Sequence, residues 1–113
     1  MARLRFGVVG CGNIAGKSFI PALLKSQKAE LISVASRDIN RAKSFSKKFF
    51  CEVDKDYITL IEREDIDAVY ISTPIIFKKD LALKSSAYRK HAIIEKPAFL
   101  NSEKPTATHF ETF

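Results

Sequence analysis

The chain has 113 residues, 46% hydrophobic and 28% charged, which suits one soluble globular domain burying roughly two-thirds of its unfolded surface. No apolar run approaches a bilayer span, and the N-terminus lacks a signal peptide's apolar segment and small-residue cleavage site, so a cytoplasmic protein with no membrane partner is expected. The net charge of +6 raises nucleic-acid binding, but Lys and Arg are scattered among acids, as in Glu62-Arg63-Glu64-Asp65, with no basic run interleaved with aromatics; no nucleic-acid partner is expected.

Leu4 to Val9 is a short apolar run rich in β-branched residues, as a buried strand would be. Gly10 and Gly12 come next, and a helical pattern begins near Asn13. Gly10-x-Gly12-x-x-Ala15 between a strand and a helix has the pattern of a dinucleotide-binding turn, in which one glycine turns the chain, the next admits a pyrophosphate to the backbone, and Ala15 lets helix and strand pack closely; the other reading is an ordinary glycine turn. The helix start, at Asn13, Ile14 and Ala15, offers free N–H groups to phosphate. Ile14, Ala15, Ser18, Phe19, Ala22 and Leu23 recur at helical spacing as the inward face, with Pro21 expected to kink or restart the helix. Cys11 and Cys51 form no C-x-x-C and have no histidine at ligand spacing, so free thiols and no metal site are expected.

Glu30 to Ala35 reads as the second strand. Asp38 is placed to cap a helix whose Ile39, Ala42, Phe45 and Phe49 share a face. Cys51 to Val53 is a short third strand, and Asp56 to Arg63 a short helix. Asp67 to Ser72 is the fourth strand, apolar without alternation, as when helices cover both sheet faces. Thr73-Pro74 resembles a cap followed by proline at the first helical position, opening a helix to about Tyr88. His91 to Ile94 is the fifth strand and runs into Glu95-Lys96-Pro97. Strands alternating with helices predict an α/β, doubly wound parallel sheet of order 3-2-1-4-5. Gly10–Ala15, Ser36–Arg37, Ser72–Pro74 and Glu95–Pro97 then meet at the carboxyl ends of the strands, where ligands bind.

The end of the second strand selects the cofactor. Ser36 and Arg37 there, a hydroxyl and a forked cation, suit the extra phosphate of NADP. In a second reading Arg37 is a surface residue and Asp38 takes the ribose, which gives NAD. A lysine at the mouth of the crevice, Lys96, is placed to hydrogen-bond a substrate hydroxyl or the carbonyl it becomes, tuned by the adjacent Glu95.

Gly10-Cys11-Gly12-Asn13-Ile14-Ala15, Ala35-Ser36-Arg37-Asp38, Asp67 through Pro74 and His91 through Pro97 stand in the order and at the spacing of one known family. Over residues 3 to about 103 the chain resembles the N-terminal half of the glucose–fructose oxidoreductase / inositol dehydrogenase / MocA family. The resemblance implies NAD(P)-dependent oxidation or reduction of a sugar, cyclitol or sugar-derivative hydroxyl, with Lys96 as the catalytic lysine and Glu95 its neighbour. It also implies dinucleotide contacts from Gly10, Gly12, Asn13, Ile14, Ala15, Ser36, Arg37, Ser72, Thr73, Pro74, Glu95 and Lys96. Ile75 and Lys78 stand where the family usually has Asn and His, and Arg89 where it usually has a left-handed Gly. A second domain comes next in the family; here Pro105 interrupts the expected helix, and the segment from Thr106 to Phe113 shows no helical face. The expected organisation is a nucleotide-binding domain over residues 1–100 and a divergent tail over 101–113 holding His109, with the second domain absent. Two function classes are open: an NAD(P)-binding oxidoreductase domain, catalytically incomplete alone, and a non-catalytic nucleotide-binding or interaction module from a truncated gene. An exposed interdomain face would favour self-association.

Overall fold

The computed structural model describes residues 3–95 and the strand at 110–112. β1 (Leu4–Val9), β2 (Ala29–Ala35), β3 (Glu52–Val53), β4 (Ala68–Ile71) and β5 (His91–Glu95) alternate with α1 (Ile20–Lys25), α2 (Ile39–Phe49), α3 (Tyr57–Ile61) and α4 (Ile75–Ala87). All pairings among these five strands are parallel, in the order β3-β2-β1-β4-β5, as the sequence predicts.

A sixth strand is an addition to the expected sheet. β6 (Phe110–Thr112) lies antiparallel on β5, with Ile93 opposite Thr112 and Glu95 opposite Phe110. It covers a strand that would otherwise present an open row of backbone donors and acceptors at the sheet edge. The boundary placed at residue 100, and Lys96, Pro97, Pro105 and His109, lie outside the described residues.

Neighbouring residues on the central strands divide between two cores, because successive side chains leave a strand on opposite faces. Val9, Ala35 and Ile71 join Leu60, Ile61, Leu81 and Ala82 under α3 and α4. Val8, Val34 and Tyr70 join Ala15, Ile20, Ala42 and Phe49 on the other face. Both faces of β4 are buried along its whole length, which is why it reads as an unbroken apolar run.

The helix behind the glycine turn corrects the expected inward face. Pro21 has no N–H, and its ring crowds the carbonyl four residues back. A π-helical turn over Ala15–Phe19 accommodates it, with the Ile20 N–H donating to the Ala15 carbonyl. The wider turn rotates the rest of the helix. Ala15, Ile20 and Leu23 are buried and Phe19 is half-buried, while Ile14, Ser18 and Ala22 face outward. In α2, Ala42 and Phe49 are buried and Phe45 packs on them, but Ile39 is exposed in the first residue after the cap. Pro74 occupies the N-cap of α4 rather than its first helical position, because its extended backbone (ψ 149°) prolongs the strand direction by one residue. The Thr73 hydroxyl donates to the Pro74 carbonyl (3.2 Å) and caps nothing.

Candidate functional site

Three strand ends are tied together at the turn after β1. The Gly10 N–H donates to the Ala35 carbonyl at 2.7 Å, and the Ser72 N–H donates to the Val9 carbonyl at 2.8 Å. Gly10 has φ +86°, a conformation that side chains disfavour. A Cβ on Gly12 would lie 2.5 Å from the Ser72 hydroxyl oxygen, so the turn and the end of β4 touch with no side chain between them.

The helix start beyond this turn has Asn13 and Ile14 exposed and Ala15 fully buried beneath them, and no side chain caps it. Its orientation is held from α2. The Arg41 guanidinium donates through Nε to the Cys11 carbonyl and through Nη2 to the Asn13 Oδ1 at 3.0 Å. Sequence reasoning missed Arg41, whose partners lie 28 and 30 positions away. Its only local signal is a cation in the first turn of a helix that begins at the crevice.

A cleft of about 220 Å³ opens at this edge of the sheet. Gly10, Gly12, Ser36, Arg37, Ser72, Thr73 and Pro74 line it, all expected from the sequence, and Cys11, Asp38 and Tyr57 join them. Tyr57 was not among the expected residues; it opens α3, whose N-terminus Asp56 caps by accepting from the Thr59 N–H at 2.7 Å. A smaller recess of about 100 Å³ adjoins the cleft, sharing Ser36, Arg37 and Tyr57 with it. Asp38 is engaged in structure: its carboxylate accepts from the Asn40 and Arg41 N–H groups at 3.0 and 3.4 Å. The Arg37 guanidinium reaches over the Phe77 ring of α4, 5.1 Å from its centroid. Burial pushes the Tyr57 hydroxyl up from its ordinary pKa, and Arg37 beside it offsets part of that rise.

Glu95 closes β5 and is turned inward, away from the cleft lining. Its carboxylate accepts from the Ser72 hydroxyl at 3.0 Å and the Tyr70 hydroxyl at 3.3 Å. Its backbone carbonyl accepts from the Lys78 ammonium, which is buried where the family usually has His. Burial lowers the Lys78 pKa, with Glu95 pulling the other way, and raises that of the Tyr70 hydroxyl, with Glu95 adding to the rise. Burial also pushes the Cys11 thiol up to about 12, so at neutral pH it is a protonated, unreactive lining group. Both cysteines are free.

A glycine turn at the switch point of a doubly wound parallel sheet, with a hydroxyl and a guanidinium at the next strand end, defines a dinucleotide-type binding domain. The chain belongs to the glucose–fructose oxidoreductase / inositol dehydrogenase / MocA family: residues 4–112 match its domain, described as "Oxidoreductase family, NAD-binding Rossmann fold". Among curated relatives, a dTDP-3,4-didehydro-2,6-dideoxy-alpha-D-glucose 3-reductase from Actinomadura kijaniata is 36% identical over 104 residues, covering 92% of this chain and 31% of that protein. The crystal structure of KijD10, a 3-ketoreductase from the same organism in complex with NADP and TDP-benzene, superposes with a TM-score of 0.82 at 36% identity, over 86% of this chain and 30% of that one. A putative myo-inositol dehydrogenase from Sinorhizobium meliloti 1021 gives 0.80 at 33% identity, over 87% and 29%. The chain thus spans about 30% of the length of these relatives. Among the described residues no helix is long and apolar enough to cross a membrane.

Proposed function

We propose that this chain binds NADP across the crevice and forms the dinucleotide half of an oxidoreductase acting on a hydroxyl or ketone of a sugar, cyclitol or sugar derivative. The observation that carries the reading is Ser36 and Arg37 facing the same cleft as Gly10 and Gly12, while Asp38 is committed to capping α2. A forked, permanent cation beside a hydroxyl recognises phosphate, and one carboxylate oxygen of Asp38, Oδ1, is taken by the two N–H groups of the α2 cap. The NADP complex of KijD10 and the sugar reductases among the relatives support it.

In this reading Gly10, Gly12, Asn13, Ile14 and Ala15 take the pyrophosphate at a helix start, and Ser36 and Arg37 the ribose phosphate. Ser72, Thr73 and Pro74 wall the nicotinamide half. NADP supplies the hydride chemistry when bound. Lys96 hydrogen-bonds the reacting oxygen, beside Glu95, whose carboxylate is held by Ser72 and Tyr70. The cleft, at about 220 Å³, is smaller than the roughly 300–1,000 Å³ typical of a complete ligand pocket. The described residues thus supply one wall of the site, and the sugar is met by other parts of such an enzyme.

Calorimetric titration tests the cofactor assignment. NADP is expected to bind more tightly than NAD, and Arg37→Ala to weaken NADP by about ten-fold or more while leaving NAD nearly unchanged. Equal affinities for the two dinucleotides, untouched by Arg37→Ala, would overturn it.

A further inference from the structure

The geometry points to Phe77 as a positioning residue that makes the crevice selective for a phosphorylated ribose, an inference that rests on the NADP reading above. An arginine at a strand end is a long, flexible side chain, and its charge selects a phosphate well only if it is held where the phosphate arrives. Arg37 leaves the end of β2 and crosses toward α4, where its guanidinium carbon lies 5.1 Å from the centre of the Phe77 ring. The ring is itself fixed: it packs on the buried cluster containing Ile71 and Leu81, and the Phe77 N–H donates to the Pro74 carbonyl at 3.0 Å. Tyr57, packed on the same cluster, stands on the cleft beside Arg37. Among the described residues no carboxylate forms an ion pair with Arg37. The guanidinium is therefore held by the Phe77 face, which fixes its plane, and by hydrogen bonding to the Tyr57 hydroxyl, and the donors not used there remain available to an anion. Arg stacks on aromatic rings in this way; Lys, a compact point charge, does so less well.

A brace of this kind contributes to NADP affinity and is silent toward NAD, which has no phosphate for Arg37 to meet. A ring that only walled the adenosine would affect both equally. The affinity ratio separates the two roles. With the full 113-residue chain, Phe77→Leu is expected to lower the NADP-over-NAD ratio about two- to five-fold, with NAD affinity nearly constant. Phe77→Tyr, which keeps the ring, is expected to retain the wild-type ratio. In an Arg37→Ala background the leucine substitution is expected to change the ratio no further, since the cation it braces is gone. Thermal melts verify that each variant is folded, and Phe77→Met replaces the leucine variant if that one melts early. An unchanged ratio in Phe77→Leu, or an equal loss for both dinucleotides, overturns the brace while leaving the NADP reading intact. A wild-type chain that binds NADP and NAD equally overturns the NADP reading, and the brace with it.

Discussion

Gly10 places the strongest backbone constraint in the crevice. Its φ of +86° disfavours any side chain, and an added Cβ would lie 2.7 Å from the carbonyl carbon and oxygen of Ser72, backbone atoms that cannot swing aside. Gly10→Ala is therefore expected to destabilise the domain by at least about 2 kcal/mol, read as a lower urea midpoint, and to weaken both dinucleotides together. An unchanged midpoint would mean that the turn relaxes freely and is no fixed cradle. The two glycines were legible in the sequence because their spacing to each other and to Ala15 is a local pattern, although Ser72, to which they lie so close, stands far along the chain. Arg41 was not. Its hold on Cys11 and Asn13 joins residues far apart in the chain, and nothing near Asp38 in the sequence distinguishes it from a solvated helix cation. The inward turn of Glu95 was hidden for the same reason: only the pairing of β4 with β5 brings Ser72 and Tyr70 to its carboxylate.

α4 ends in a Schellman arrangement in which the Lys90 N–H donates to the Ser85 carbonyl at 2.8 Å and the Arg89 N–H to that of Ser86 at 2.9 Å. The residue just after the cap is Arg89, with φ +61°, where the family usually has Gly. The left-handed conformation that the resemblance implies is thus kept, with a side chain that disfavours it. Arg89→Gly relieves that strain and is expected to raise stability by about 0.5–1 kcal/mol, the gain being trimmed by the freer unfolded chain. Thermal denaturation checks the sign: a midpoint lower than that of the unsubstituted chain would show that Arg89 contributes a contact worth more than its strain. Elements of this kind were readable because their signals are local. Apolar runs marked β1, β2, β4 and β5, and Asp38 marked the cap of α2. The faces were read less well. Pro21 announced a break in the first helix, but the size of the π turn, and hence which residues rotate inward, depends on how that helix settles on Phe6, Val8 and Tyr70. β6 escapes a test for helical faces, yet Phe110-Glu111-Thr112 carries the aromatic and β-branched composition of a strand.

Across the whole molecule, the two ends of the parallel sheet are joined by different means. The carboxyl ends of β1, β2, β4 and β5 converge on the crevice and are held by backbone contacts, buried hydroxyls and Glu95. At the amino ends, charge performs the joining. Arg5, near the start of β1, donates through its backbone N–H and Nε to one oxygen of Asp67, just ahead of β4, and through Nη2 to the other, all at 2.9–3.0 Å. The Arg5 side chain, and after it the Arg5 backbone N–H, holds the Asp67 carboxyl at about 2, below its ordinary 3.8, against a smaller opposing effect of burial. A carboxyl whose pKa is depressed on folding stabilises the fold fully above its unfolded value, and that contribution disappears as pH falls through the folded one. The window here runs from about pH 4 down to about pH 2. Asp67→Asn is therefore expected to be less stable than the unsubstituted chain at neutral pH, with the difference shrinking as acid is added across that window. Both side chains are partly exposed, so added salt is expected to narrow the difference as well. Urea midpoints of the two chains at a series of pH values decide the matter: curves that stay parallel from pH 6 to pH 2 would show that the pair does not couple β1 to β4. NADP affinity of Asp67→Asn at neutral pH is expected to stay close to that of the unsubstituted chain, because the lost bonds lie at the sheet edge remote from the crevice.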